Sequence, residues 1–194
     1  MKLTKTIPFF TFFLLFLQCS PEKSVKNKLS APDGWRSEIL QLPLDFAPSL
    51  AYTGVEYVEF APGWGTEEAK DYFSYVFLWE IDQNPSLTTK KIEKELEMYY
   101  DGLMNVIAKS NDNENQIPKS KAFFEKINET TFVGKVLTYD AFITKQPVEL
   151  FIIVNHTTCQ KENKHLVRFD ISPQPTSHPV WKKLNKVEVN IKCE

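Results

Sequence analysis

Three cysteines and six glycines are all that this chain of 194 residues contains. So few thiols cannot form the dense disulfide framework of a small secreted scaffold. Scarce glycine goes with the lack of any glycine-rich phosphate loop, and there is neither a Gly-x-Ser-x-Gly elbow to present a nucleophilic serine nor a His-Glu-x-x-His helix to hold zinc. Basic stripes and arginine clusters are also missing. With 23 Lys and Arg against 25 Asp and Glu, the formal charge is −2, so the electrostatic footprint of a nucleic-acid partner is absent. No cofactor and no catalytic residue is named by any motif.

What is present begins with an address. Lys2 and Lys5 precede an apolar run from Ile7 to Leu17, which ends Phe16-Leu17-Gln18-Cys19-Ser20. At roughly 1.5 Å per helical residue the run falls short of a 30 Å hydrocarbon core, which favours a removable leader over a permanent span. The ending resembles the lipobox of bacterial, Bacteroidetes-like lipoproteins, although Gln18 stands where that family prefers Gly or Ala. The resemblance implies cleavage after residue 18, a diacylglyceryl thioether on Cys19 and an acylated amine. It also implies a place in the bacterial cell envelope, on the periplasmic or surface face of a membrane. More than one acyl chain is what makes such attachment stable. An ordinary secreted protein with an incidental Cys19 is the alternative reading.

Residues 20–32 are polar and bounded by proline, with almost nothing to bury, so residues 19–33 read as lipidated cysteine plus flexible tether. The rest, 34–194, reads as a single globular domain. Its 42% hydrophobic and 13% aromatic content suits a packed core rather than disorder.

Short β-rich runs open that domain: Ile39 to Leu42, Val55 to Phe60 and Tyr72 to Ile81. In the third, Tyr75, Phe77, Trp79 and Ile81 share one face and Val76 and Leu78 the other, which predicts a central strand covered on both sides. Pro62 and Gly63 fit the middle of a type II turn between the second and third runs. From Thr88 the period changes. Ile92, Leu96, Tyr99, Tyr100, Leu103 and Ile107 recur at three- and four-residue steps, the stripe of a helix of about twenty residues lying on the sheet. Asn111 to Lys121 reads as a loop, and Ala122 to Asn128 as a short strand or helical turn. Strands then follow at Thr131 to Tyr139, Val148 to Asn155 and Leu166 to Ser172. Pro179 to Leu184 forms a closing helix with Trp181 and Leu184 inward, and Val187 to Lys192 a last strand. The class is α+β: an antiparallel sheet with a long helix and a short C-terminal helix packed on it. The element order and the Trp-x-x-Leu helix resemble Mog1/PsbP-like proteins, which implies an α/β/α sandwich and carries no activity with it.

Cys159 and Cys193 are an even pair in an exported domain, and a disulfide closing roughly thirty residues would contribute on the order of 3 kcal/mol. His156, Cys159 and His165 flank one loop and suggest zinc, but a closed site needs a fourth ligand that the loop lacks, so no metal is expected. Glu80 and Asp82 share one strand face while Glu56 and Glu59 point to opposite faces of another, which offers an acid–base pair across a cleft; an envelope hydrolase using these carboxylates, or zinc at His156 and His165, is the alternative function. Trp64, on a turn, and Tyr72 are candidate ligand contacts, although a tryptophan there more commonly folds back as a lid over the core. The reading that unites these features is a membrane-tethered binding or accessory module for a small apolar ligand or a protein partner.

Overall fold

The computed structural model describes residues 26–110, 117–191 and 193. The leader, Cys19 and the first part of the tether lie outside the described residues, as do residues 111–116 of the expected loop.

The elements in chain order are β1 (Leu29–Ser30), β2 (Arg36–Leu42), β3 (Gly54–Phe60), β4 (Tyr75–Ile81), α1 (Thr89–Ser110), β5 (Lys121–Lys126), β6 (Thr131–Tyr139), β7 (Pro147–Cys159), β8 (Lys164–Ser172), α2 (Val180–Leu184) and β9 (Glu188–Val189). Among the described residues, seven strands form an antiparallel sheet in the order β2-β3-β4-β8-β7-β6-β5, while β1 and β9 make a separate two-stranded ribbon. No described helix is long and apolar enough to cross a membrane.

β4 is interior and wholly buried. Tyr75, Phe77, Trp79 and Ile81 enter one core cluster, together with Ile92, Leu96, Tyr99 and Tyr100 of α1, and Val76 and Leu78 enter a second with Val180, Trp181 and Leu184 of α2. The alternation along one strand therefore separates the two clusters, as a pleated strand requires. Helix α1 starts at Thr88, whose Oγ1 accepts the Lys91 amide at 3.2 Å, an N-cap that satisfies one of the otherwise unpaired first-turn donors. Its stripe is longer than the pattern read from sequence, since Met104 and Ala108 are buried as well. Leu103 and Ile107 lie at the margin of the core.

The fold departs from expectation in several places, among them the last strand, expected over Val187 to Lys192 and formed as Glu188–Val189 among the described residues. It begins before Gly34: Leu29, within the expected tether, is 4% exposed and packs in the second cluster, because pairing with Val189 gives this otherwise polar stretch a partner strand. Of the two readings of 122–128, strand or helical turn, the strand is the one formed, as the edge strand β5. β7 runs on to Cys159, beyond Asn155, because β8 pairs with it from Phe151 to Cys159. The turn after β3 is not type II, for Gly63 does not have the positive φ that type II demands at that position. The Trp64 amide still closes the turn onto the Ala61 carbonyl at 2.9 Å. Glycine is needed there for room, since a Cβ would stand 2.1 Å from Asp71 Oδ1.

Candidate ligand cavity

Register builds the floor of a cavity on the α1 side of the sheet. Arg36, Glu38 and Leu40 of β2 lie opposite Phe60, Val58 and Glu56 of β3, which in turn lie opposite Tyr75, Phe77 and Trp79 of β4. Three rows result, with an arginine at the outer end of one and a glutamate at the centre of another. Tyr99, Leu103, Val106 and Ile107 of α1 form the roof, and loops supply Phe46, Trp64, Phe73 and Phe142, enclosing about 320 Å³. Phe46 reaches this wall because its loop crosses α1 at Gly102, where a Cβ would come within 1.9 Å of the Phe46 carbonyl oxygen. Such a volume, lined by apolar side chains with a few polar groups, is typical of a small-molecule site.

Glu56 is the buried polar group. Its Oε2 accepts Trp79 Nε1–H at 2.5 Å and its Oε1 accepts the Tyr99 hydroxyl at 3.0 Å. Loss of water around the carboxyl pushes its pKa up to about 7; the two hydrogen bonds oppose that rise and the negative charge of Glu38 adds to it. Each oxygen takes one donor in the protein, so both keep acceptor capacity.

At the mouth, Arg36 donates to Glu38 across 2.5 Å, with the two side chains 56% and 46% exposed. The guanidinium lies over the Phe60 ring at 4.2 Å and within 5.5 Å of the Trp64 ring centre, inside cation–π range. Trp64 meets Phe60 and Phe142 edge-on and stacks on Phe73, with centroids 5.0, 5.2 and 5.4 Å apart. Both readings of Trp64 thus describe one residue, a lid packed on aromatics that also lines a cavity. Among the described residues, Trp64 Nε1 is the buried side-chain donor that has no partner.

Tyr72 does not line the cavity. Its hydroxyl donates to Asp140 Oδ2 at 2.6 Å, and the same carboxylate accepts the amides of Phe142, Ile143 and Thr144 at 2.9, 2.9 and 2.7 Å. Burial alone would raise the pKa of Asp140, but these donors together hold it below the ordinary aspartate value. Tyr72 therefore contributes by fixing the loop that carries Phe142 rather than by touching the cavity. The backbone explains why: the left-handed Phe73 delays the start of the expected strand from Tyr72 to Tyr75, so Tyr72 stands outside β4.

The remaining candidates lie elsewhere. Glu80 accepts from Lys28 at 2.8 Å and from the Tyr57 hydroxyl at 2.9 Å, and Asp82 pairs with Lys164. Glu59 sits on the face opposite Glu56, as the strand period requires, held by Asn27 and Ser37 at 2.7 and 2.5 Å. His156 Nε2 and His165 Nδ1 come within 3.2 Å, and burial, with the neighbouring ring, lowers the pKa of His156. No three described His, Cys, Asp or Glu side chains converge to hold a metal ion. Cys159 instead faces Cys193, with sulfurs at disulfide distance and Cα atoms 4.5 Å apart. A larger depression of about 580 Å³ lies on the other side of the sheet, beside Val189, Ile191 and Cys193. Its charged group, Arg168, is already engaged by Asp170 and by the Leu184 and Val187 carbonyls.

The chain matches no protein-family model, no curated protein and no solved structure.

Proposed function

We propose that this chain is a lipid-anchored envelope protein whose domain binds a small apolar ligand in the cavity roofed by α1. The observation that carries the reading is the enclosure of about 320 Å³ by Phe46, Phe60, Trp64, Phe73, Tyr99 and Phe142, with a fully buried carboxyl at its floor. Large rings supply contact area with little loss of rotamer freedom, and the few polar groups orient what they enclose. The anchor rests on the leader and Cys19, and the sandwich reading on α1 and α2 belonging to separate core clusters.

An envelope hydrolase is the second reading. Glu56 favours it, because a carboxyl with a pKa near 7 can exchange a proton at physiological pH. Against it, Glu80 and Asp82 are held in ion pairs outside the cavity, so no second carboxylate partner for Glu56 comes from that pair.

Octanol is the direct probe of the ligand reading. Titrated into the full chain, it should raise the unfolding midpoint and give saturable heat in calorimetry. Leu103→Trp, which fills the cavity from the roof, should reduce the affinity at least about tenfold. Absence of saturable binding, or equal binding by the filled variant, would overturn the reading.

A further inference from the structure

The mouth of the cavity already holds a cation. Arg36 is more than half exposed, yet its guanidinium rests over Phe60 and beside Trp64 with Glu38 as its counter-ion. The protein thus contains both parts of a cation seat, an aromatic surface and a carboxylate at its edge, and fills them with a side chain that solvent can reach. Attraction between a cation and the negative face of a ring depends little on which cation supplies the charge, and it strengthens as water is excluded. A ligand's nitrogen can therefore replace the guanidinium without rebuilding the seat.

The distribution of charge decides among ligand classes. Glu38 and Glu56 both line the cavity, against Arg36 alone. An anionic head group would have to draw Arg36 from Glu38 and then lie near two carboxyl groups. A neutral ligand leaves the charges as they are and gains nothing from them. A cation exchanges one positive charge for another at the mouth, and its apolar body meets Leu40, Val58, Leu103 and Ile107 inside.

We propose, building on the ligand-binding reading above, that the cavity is a site for a lipophilic organic cation, whose ammonium group takes the place of Arg36 over Phe60 and Trp64 with Glu38 as counter-ion and whose apolar body fills the enclosed space. Arg36 then acts as an internal stand-in that keeps the aromatic seat covered while the site is empty and swings into solvent when the ligand enters.

Three probes of equal chain length separate the possibilities: octyltrimethylammonium and octanoate below their micellar concentrations and octanol below its solubility limit, each titrated calorimetrically into the purified full chain. The ammonium should bind at least about tenfold tighter than octanoate and several-fold tighter than octanol. Glu38→Gln should cut the preference for the ammonium over octanol by about fivefold, and Arg36→Gln should strengthen ammonium binding by a similar factor, because the seat is vacated. Both side chains are exposed strand positions, so both variants should fold. Tighter binding of octanoate would show Arg36 to be an anion receptor and overturn the inference. Equal affinity for all three would overturn it too while leaving the apolar cavity intact as a binding site. If none of the three binds, the inference and the ligand reading fall together.

Discussion

Glu56→Gln should alter the pH dependence of stability far more than stability at acid pH. The carboxyl is completely buried, and its pKa rises from the ordinary 4.5 to about 7 through loss of hydration. Folding therefore favours the protonated form. The associated stability is fully present below about pH 4.5, declines as pH rises, and is lost once pH has passed through about 7; that interval corresponds to about 3 kcal/mol. Glutamine copies the protonated glutamate: its carbonyl can accept from Trp79 Nε1, and its amide can donate to the Tyr99 hydroxyl oxygen. The variant should thus match the parent within about 1 kcal/mol at pH 4.5 and exceed it by about 3 kcal/mol near pH 8. Urea unfolding followed by circular dichroism, at a series of pH values across this range, measures the difference directly. Other groups titrate in both proteins and cancel in the comparison, with the exception of those that sense the Glu56 charge, chiefly the buried Tyr75, Tyr99 and Tyr100. A difference that stays constant with pH, or one that grows in favour of the parent, would refute the reasoning.

Two further outcomes concern the ends of the chain. Cys19→Ala should abolish a diacylglyceryl mass adduct and move the protein out of the membrane fraction; an unmodified parent in mass spectrometry of native membranes would refute the anchor. Cys159→Ser should lower unfolding stability by on the order of 3 kcal/mol, as should Cys193→Ser, and the double variant should lose no more than either single one, because all three remove the same cross-link over a sequence separation of 34. Chemical denaturation under non-reducing conditions reads these losses, and additive effects would refute a shared bond.

The elements that could be read from the sequence were those with a clean period and a burial pattern to match. β4 carries apolar residues on both faces and is interior, and the stripe from Ile92 to Ile107 does form the core-facing side of α1. Trp181 and Leu184 turn inward as their spacing requires. Pairing between distant segments was harder to see. Leu29 has no apolar neighbours in sequence to mark it as core, and its burial depends on β9, far along the chain.

The cavity shows the same limit more sharply. Trp64 could be singled out because it stands on a turn, but Phe142 reaches the same space through a loop ordered by Asp140, a residue with no distinguishing local pattern. Glu56 carried one usable signal. It shares its strand face with Val58 and Phe60, so a carboxylate lies on an otherwise apolar surface, as a buried functional group would. Its grouping with Arg36 and Glu38 was illegible, because it depends on the register between β2 and β3.

The β1–β9 ribbon has a mechanical consequence. The chain enters the described fold at the strand that pairs with its last one, and the residues just beyond β9 are stapled to the end of β7 through Cys193. A pull on the N-terminal end would therefore load the ribbon first and, through the staple, pass tension into the long strand β7. The ribbon packs on the face opposite the cavity, so α1 and the aromatic loops stand outside this line of force. A domain held in this way takes load first on the face away from the roof of its cavity.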